Sequence, residues 1–153
     1  MKKFALIFLG IIAYTLGYAQ SDAEEIQIMQ SLFGMEKKAL VAEFIQLDIA
    51  EHGVFWALYD QYEAERKALG KNRIGLIKQY AEHYDDMTDE QATEFMKQMI
   101  SQRKVTDKLI DTYYKKILKA ADPVVAMQFF QVESYILSAI RMNLLGAVPF
   151  VQK

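Results

Sequence analysis

Residues 55–76 read FWALYDQYEAERKALGKNRIGL. A step of seven through this run meets Phe55, Tyr62, Leu69 and Leu76, while charged residues such as Glu63, Glu65, Lys67 and Lys71 lie between the later members. That is the pattern of one apolar face on a long α-helix. The same step picks out Ile26, Phe33, Leu40 and Leu47 upstream, then Ala92, Met99, Thr106 and Tyr113, then Val125, Val132 and Ala139 downstream. Only two prolines interrupt the 153 residues, so strands have little support. The expected fold is all-α: a four-helix antiparallel hairpin arrangement with two long central helices, elongated and dimeric.

The boundaries carry their own chemistry. Ser21 with Glu24, Asp48 with Glu51, and Thr88 with Gln91 have capping-box spacing, in which the cap oxygen accepts an orphan N–H and the residue three on reaches back. Asp122-Pro123 supplies a further start, with proline where a missing N–H costs nothing. Helices are therefore expected at 22–46, 48–85, 89–120 and 123–145, with Gly146 and Pro149 ending the last. Gly70 and Gly75 weaken the second, but the heptad series passes them in phase, which predicts a bend rather than a break. Asp85-Asp86-Met87 is expected to turn the chain back. An internal repeat reinforces these starts. Leu47 to Glu51 is followed by Phe55-Trp56, Met87 to Gln91 by Phe95-Met96, and Ala121-Asp122 by Phe129-Phe130.

The N-terminus reads as an address. Lys2 and Lys3 precede an apolar run from Phe4 to Leu16, and Gly17-Tyr18-Ala19 offers small residues at the minus-three and minus-one positions of a cleavage site. Residues 1–19 are expected to be a Sec signal peptide, leaving 20–153 as a single all-helical domain with no stable membrane anchor. The expected location is the periplasm, with secretion as second choice. The chain has 18 Lys plus Arg against 20 Asp plus Glu, and removal of two lysines makes the balance more acidic. Nucleic acid is an unsuitable partner, because phosphate binding needs clustered positive charge.

Reaction chemistry finds little to work with. No cysteine is present, which excludes disulfides, thiolate metal sites and a cysteine nucleophile. No GxSxG, phosphate-cradling glycine loop or HExxH occurs, so hydrolytic, nucleotide and zincin chemistry lack support. The chain is read as a non-enzyme needing no cofactor. His52 and His83 stand on one predicted helix about 45 Å apart at 1.5 Å per residue; His83 with Glu82 and Asp86 is the weak metal candidate. Glu63 and Glu65 point in different directions on a helix and are expected to be solvated surface. Arg66 and Arg73 share a stripe with Tyr59 and Tyr80. They are expected to form internal ion pairs, with Glu133 or Asp107, or to line a surface for acidic clients.

Met87-Thr88-Asp89-Glu90-Gln91 resembles the LTxxQ signature of the periplasmic stress proteins typified by Spy and CpxP, and Leu47 to Glu51 looks like a first copy with Asp and Glu in place of Thr and Gln. The run Phe55 to Glu63, followed by Arg66 and Arg73, is similar to the FWxLYxxYExxR stretch of small exported relatives of that family, and Phe129 to Glu133 to their last helix. The resemblance implies structural motif roles for Leu47, Asp48, Glu51, Phe55, Trp56, Thr88, Gln91, Arg66 and Glu133. It also implies a dimeric, helical, periplasmic protein that holds unfolded clients without ATP or reports envelope stress.

The unequal helix lengths point the same way. The second and third helices outreach the first and fourth by roughly 10–20 Å at 1.5 Å per residue. The hairpin tip, residues 73–96, is therefore short of partners, yet it carries Leu76, Ile77, Tyr80, Tyr84, Met87, Phe95 and Met96. An uncovered apolar patch of this kind marks an interaction surface. Three readings compete: a second copy in a homodimer, unfolded or envelope proteins as clients, or a plain core filled by the chain's own tail Val148 to Val151 or by a bend at Gly70 to Gly75 that folds the tip back. Dimer plus client holding is the first expectation. The alternative is a non-enzymatic sensor, regulatory or structural protein without chaperone activity.

Overall fold

The computed structural model describes residues 36–147 and 149–151, and Lys37–Lys153 forms one compact unit. Residues 36–44 are helical (α1), followed after a short connection by α2 (Ile49–His83), α3 (Asp89–Ala120) and α4 (Pro123–Ala147). No strand occurs among the described residues, and the fold is all-α. The proposed signal peptide and the Ser21–Glu24 box lie outside the described residues, as does the expected start of the first helix.

Where the boundaries can be compared, the local chemistry accounts for them. Thr88 and Gln91 form the reciprocal box: the Gln91 N–H donates to Thr88 Oγ1 (3.2 Å) and the Thr88 N–H to Gln91 Oε1 (2.8 Å). At α2 the Asp48 N–H donates to Glu51 Oε2 (3.1 Å). The other oxygen, Oε1, accepts the Asp122 N–H (2.7 Å), so this one carboxylate ties the starts of α2 and α4 together. Asp122 in turn accepts the Val124 N–H (2.7 Å). α2 is continuous through Gly70 and Gly75. α4 runs through Gly146 to Ala147, two residues beyond the expected end. Glycine in the last turn costs only about 1 kcal/mol, whereas Pro149 disfavours helix at the residue before it.

α2 packs on α3, and α3 on α4. Cross-helix contacts set an antiparallel register: the Tyr113 hydroxyl donates to Glu65 (2.7 Å), Gln102 Nε2 to the Leu69 carbonyl (2.6 Å), and the Tyr80 and Phe95 rings stack at 5.1 Å. The core forms at the opposite end from the turn. There Phe55, Tyr59, Tyr62, Tyr113, Ile117, Val125, Phe129 and Val132 are buried, with Val41 and Ile45 from the α1 side. Tyr62 meets Phe129 at 5.2 Å and Tyr113 at 5.5 Å, both edge to face, the arrangement favoured by the ring quadrupoles.

Burial fades along the heptad series of α2, α3 and α4 toward the turn. Phe55 and Tyr62 are buried, whereas Leu69 and Leu76 on the same face are half-buried; Tyr113 is buried, Met99 and Thr106 half-buried. The repeat behaves likewise. Its inward aromatics Phe55 and Phe129 are fully enclosed while Phe95, at the tip, is half-buried. Their successors Trp56, Phe130 and Met96 turn outward to differing degrees.

Candidate functional site

Two features stand out on this scaffold: a charged network inside the core, and an open apolar surface where the core ends. The network begins at Lys37 on α1, which is 3 % exposed. Its Nζ lies 2.5 Å from Glu63 Oε1 on α2 and 2.7 Å from Glu133 Oε2 on α4. Arg66 closes the other side of Glu63 with two bonds, Nε to Oε1 (2.7 Å) and Nη2 to Oε2 (3.0 Å). Glu133 also accepts from the Tyr59 hydroxyl at Oε1 (3.1 Å) and the Tyr62 hydroxyl at Oε2 (2.7 Å). The Lys37 ammonium sits 5.1 and 5.5 Å from the Tyr62 and Tyr59 ring centres, close enough for cation–π attraction.

Two cations thus face two carboxylates, and each carboxylate oxygen has a donor, the condition under which buried charge is tolerated. Burial pushes the Lys37 ammonium below the usual lysine range, against the pull of Glu133 and Glu63. Burial alone would raise the Glu63 carboxyl, but the Arg66 hydrogen bonds and the Lys37 charge outweigh it and hold the group below the usual carboxylate range. The Tyr59 and Tyr62 phenols are pushed up by burial and then by the Glu133 charge. The arrangement joins α1, α2 and α4 and fixes their register.

Several expectations are corrected by this geometry. Glu63 is buried rather than solvated; only its neighbour Glu65 is exposed, and that residue accepts from Tyr113. Arg66 does form an internal ion pair, but with Glu63 on its own helix. Glu133 instead receives Lys37, and Asp107 pairs with Arg141 (2.6 Å). The only sequence signal for the burial of Lys37 is its place three residues before Leu40 in the heptad series. Trp56 is half-buried, donates from Nε1 to His52 Nε2 (3.2 Å) and lies under the Lys38 ammonium, which also pairs with Asp60. His83 Nδ1 is 3.7 Å from Asp86 Oδ1, and no cluster of three metal-ligating side chains converges among the described residues.

The second feature is the tip. From residue 64 to residue 108 no side chain is buried. Leu76, Ile77, Tyr80, Tyr84, Met87 and Phe95 are half-buried, and Met96 is 52 % exposed. Tyr80 stacks on Phe95 and lies 6.3 Å from Tyr84, so the hairpin satisfies part of its own seam. Ala92, Met96 and Ile100 form a stripe on α3 that lines a shallow groove with Thr93, Lys97, Ser101 and Lys104. Ile100 is 45 % exposed. Among the described residues the tail meets the tip where the Tyr80 hydroxyl donates to the Pro149 carbonyl (2.5 Å). Its described residues do not seal the surface: Phe150 is 88 % exposed and Val151 is also exposed, while Val148, Gln152 and Lys153 lie outside the described residues. Leu47 is half-buried and Asp48 exposed at the other end.

The chain is therefore an all-helical protein with a charge-paired core and an apolar hairpin end. Comparison with protein-family models, with curated proteins and with solved structures found no match. No helix among the described residues is long and apolar enough to cross a membrane.

Proposed function

We propose that the protein is an exported, periplasmic, non-enzymatic binding protein that holds non-native polypeptides on its hairpin tip without nucleotide, as the Spy-like resemblance of its motifs also suggests. The observation that carries this reading is the stretch from residue 64 to residue 108, which contains Leu76, Ile77, Tyr80, Phe95, Met96 and Ile100 yet buries no side chain. Two helices side by side enclose one seam and leave their outer faces to solvent. Met and Tyr suit an adaptable surface, because thioether chains repack easily and a phenol tolerates a wet edge. Weak, reversible capture fits a surface this open, since much of any contact would remain hydrated.

The test is suppression of aggregation of a denatured client by the wild type and by Met96→Glu plus Ile100→Glu. Both residues are exposed and neither stacks across the hairpin, so the variant should keep its melting temperature while losing suppression. Tyr80 and Phe95 are poorer targets because their ring contact holds α2 to α3. Absence of suppression by the wild type would favour the sensor or structural alternative. Sedimentation at micromolar concentration addresses the homodimer, which would cover the same stripe with a second copy.

A further inference from the structure

A second group of charges lies beyond the core network, among residues of α2, α3 and α4. Arg73 of α2 and Arg141 of α4 both lie within electrostatic reach of one carboxylate, Asp107 of α3. Asp107 Oδ1 is taken by Arg141 Nη2 at 2.6 Å. No carboxylate among the described residues pairs with Arg73. The Nε atoms of both arginines are buried without a hydrogen-bond partner. This contrasts with the core network, where charges balance and each carboxylate oxygen is satisfied. Burial and then the neighbouring Arg141 push the Arg73 guanidinium below the usual arginine range, and Asp107 does not fully offset them.

Buried donors left unpaired are rare in folded proteins, and a guanidinium presents its N–H groups in a fork matched to a carboxylate. The surroundings narrow the ligand further. Leu76, Ile77 and Tyr80 follow Arg73 on the same stripe of α2 and are half-buried, so the surplus positive charge borders the apolar surface of the tip.

We propose that Arg73 and Arg141 form an anchoring site for a carboxylate side chain of the polypeptide held on the tip, so that the tip selects segments in which an Asp or Glu is embedded among apolar residues. The specificity rests on the holding function proposed above. An incoming carboxylate bridges the two guanidiniums, restores the balance that Asp107 alone leaves incomplete, and sets the adjoining apolar side chains against Leu76 and Ile77. Arg66 takes no part, because its fork is already occupied by Glu63.

The experiment compares two labelled peptides by fluorescence anisotropy against the full chain. One carries a single Glu within an apolar and aromatic stretch, and the other has Gln in its place. The wild type should bind the Glu peptide about tenfold more tightly, the step expected for roughly 1.4 kcal/mol of a charge-assisted contact. Added salt should shrink the preference. Arg73→Gln should bring the two affinities together with an unchanged or raised melting temperature, because the residue makes no ion pair among the described residues. Equal binding of both peptides by the wild type overturns the carboxylate site while leaving the holding function intact. Binding of neither peptide removes both. A preference that survives in Arg73→Gln overturns the assignment of the site to this arginine pair.

Discussion

Replacing Lys37 by Met tests whether the buried charges act as a unit. The substitution keeps the length and apolar stem of the side chain and removes only the ammonium. In the wild type that ammonium touches Glu63 at 2.5 Å and Glu133 at 2.7 Å. Afterwards Glu63 keeps both bonds from Arg66, but Glu133, 1 % exposed, retains only the two neutral tyrosine hydroxyls among its described partners. Leaving one member of a buried ion pair behind costs about 3–5 kcal/mol. For a chain of this size that is a fall in melting temperature of about 10–20 °C. Lys37→Met combined with Glu133→Gln removes one charge of each sign and leaves Glu63 and Arg66 to compensate each other. The double variant should therefore lose at least about 1 kcal/mol less than the sum of the single losses. Thermal and urea melts of the four proteins complete the cycle. A Lys37→Met melt indistinguishable from wild type, or a double variant with strictly additive loss, would refute the coupling.

Two further outcomes follow from the same structure. A Cβ built on Gly53 or Gly75 meets no atom within 4 Å, so Gly53→Ala and Gly75→Ala should each stabilise the chain by roughly 1 kcal/mol; a lowered urea midpoint would show that α2 needs the freedom of glycine there. Stability should also fall at both pH extremes. The Glu63 carboxyl is depressed in the folded state, so its contribution is complete above the unfolded value of about 4.3 and is lost as pH falls through the lower folded value. Tyr113 is pushed up to about 12 by burial and by Glu65. Its contribution is complete below the unfolded value of about 10 and is lost as pH rises through the folded value. Melts across pH check both limbs. Glu63→Gln should flatten the acid one, and a tyrosine ultraviolet titration should find Tyr113 ionising late.

The charged network shows where reading the sequence stops. Arg66 stands on the apolar stripe, and from that position alone an internal partner was expected. The choice among Glu63, Glu133 and Asp107 depends on which carboxylate three packed helices bring within 3 Å, and no spacing encodes that. Glu63 looked like ordinary surface because acidic residues on helices usually face water. It lies inside because α1 places Lys37 against it, a contact across 26 positions. Arg73 carries the opposite lesson: the pairing with Asp107 that its position suggested goes to Arg141, 34 positions from that carboxylate.

The amino-acid order alone determined that the described chain is helical and where α2 and α3 begin. Period, caps and helix rise are local properties, written within a few turns of chain. Only the tertiary structure decided how deep each described residue of a heptad series lies, which charges meet, and that Tyr80 donates to the Pro149 carbonyl while Phe150 and Val151 stay exposed. Burial and pairing depend on what neighbouring helices supply at each level. At the level of Tyr62 the other three helices close around α2, whereas beyond Arg73 no described residue of the hairpin tip is buried.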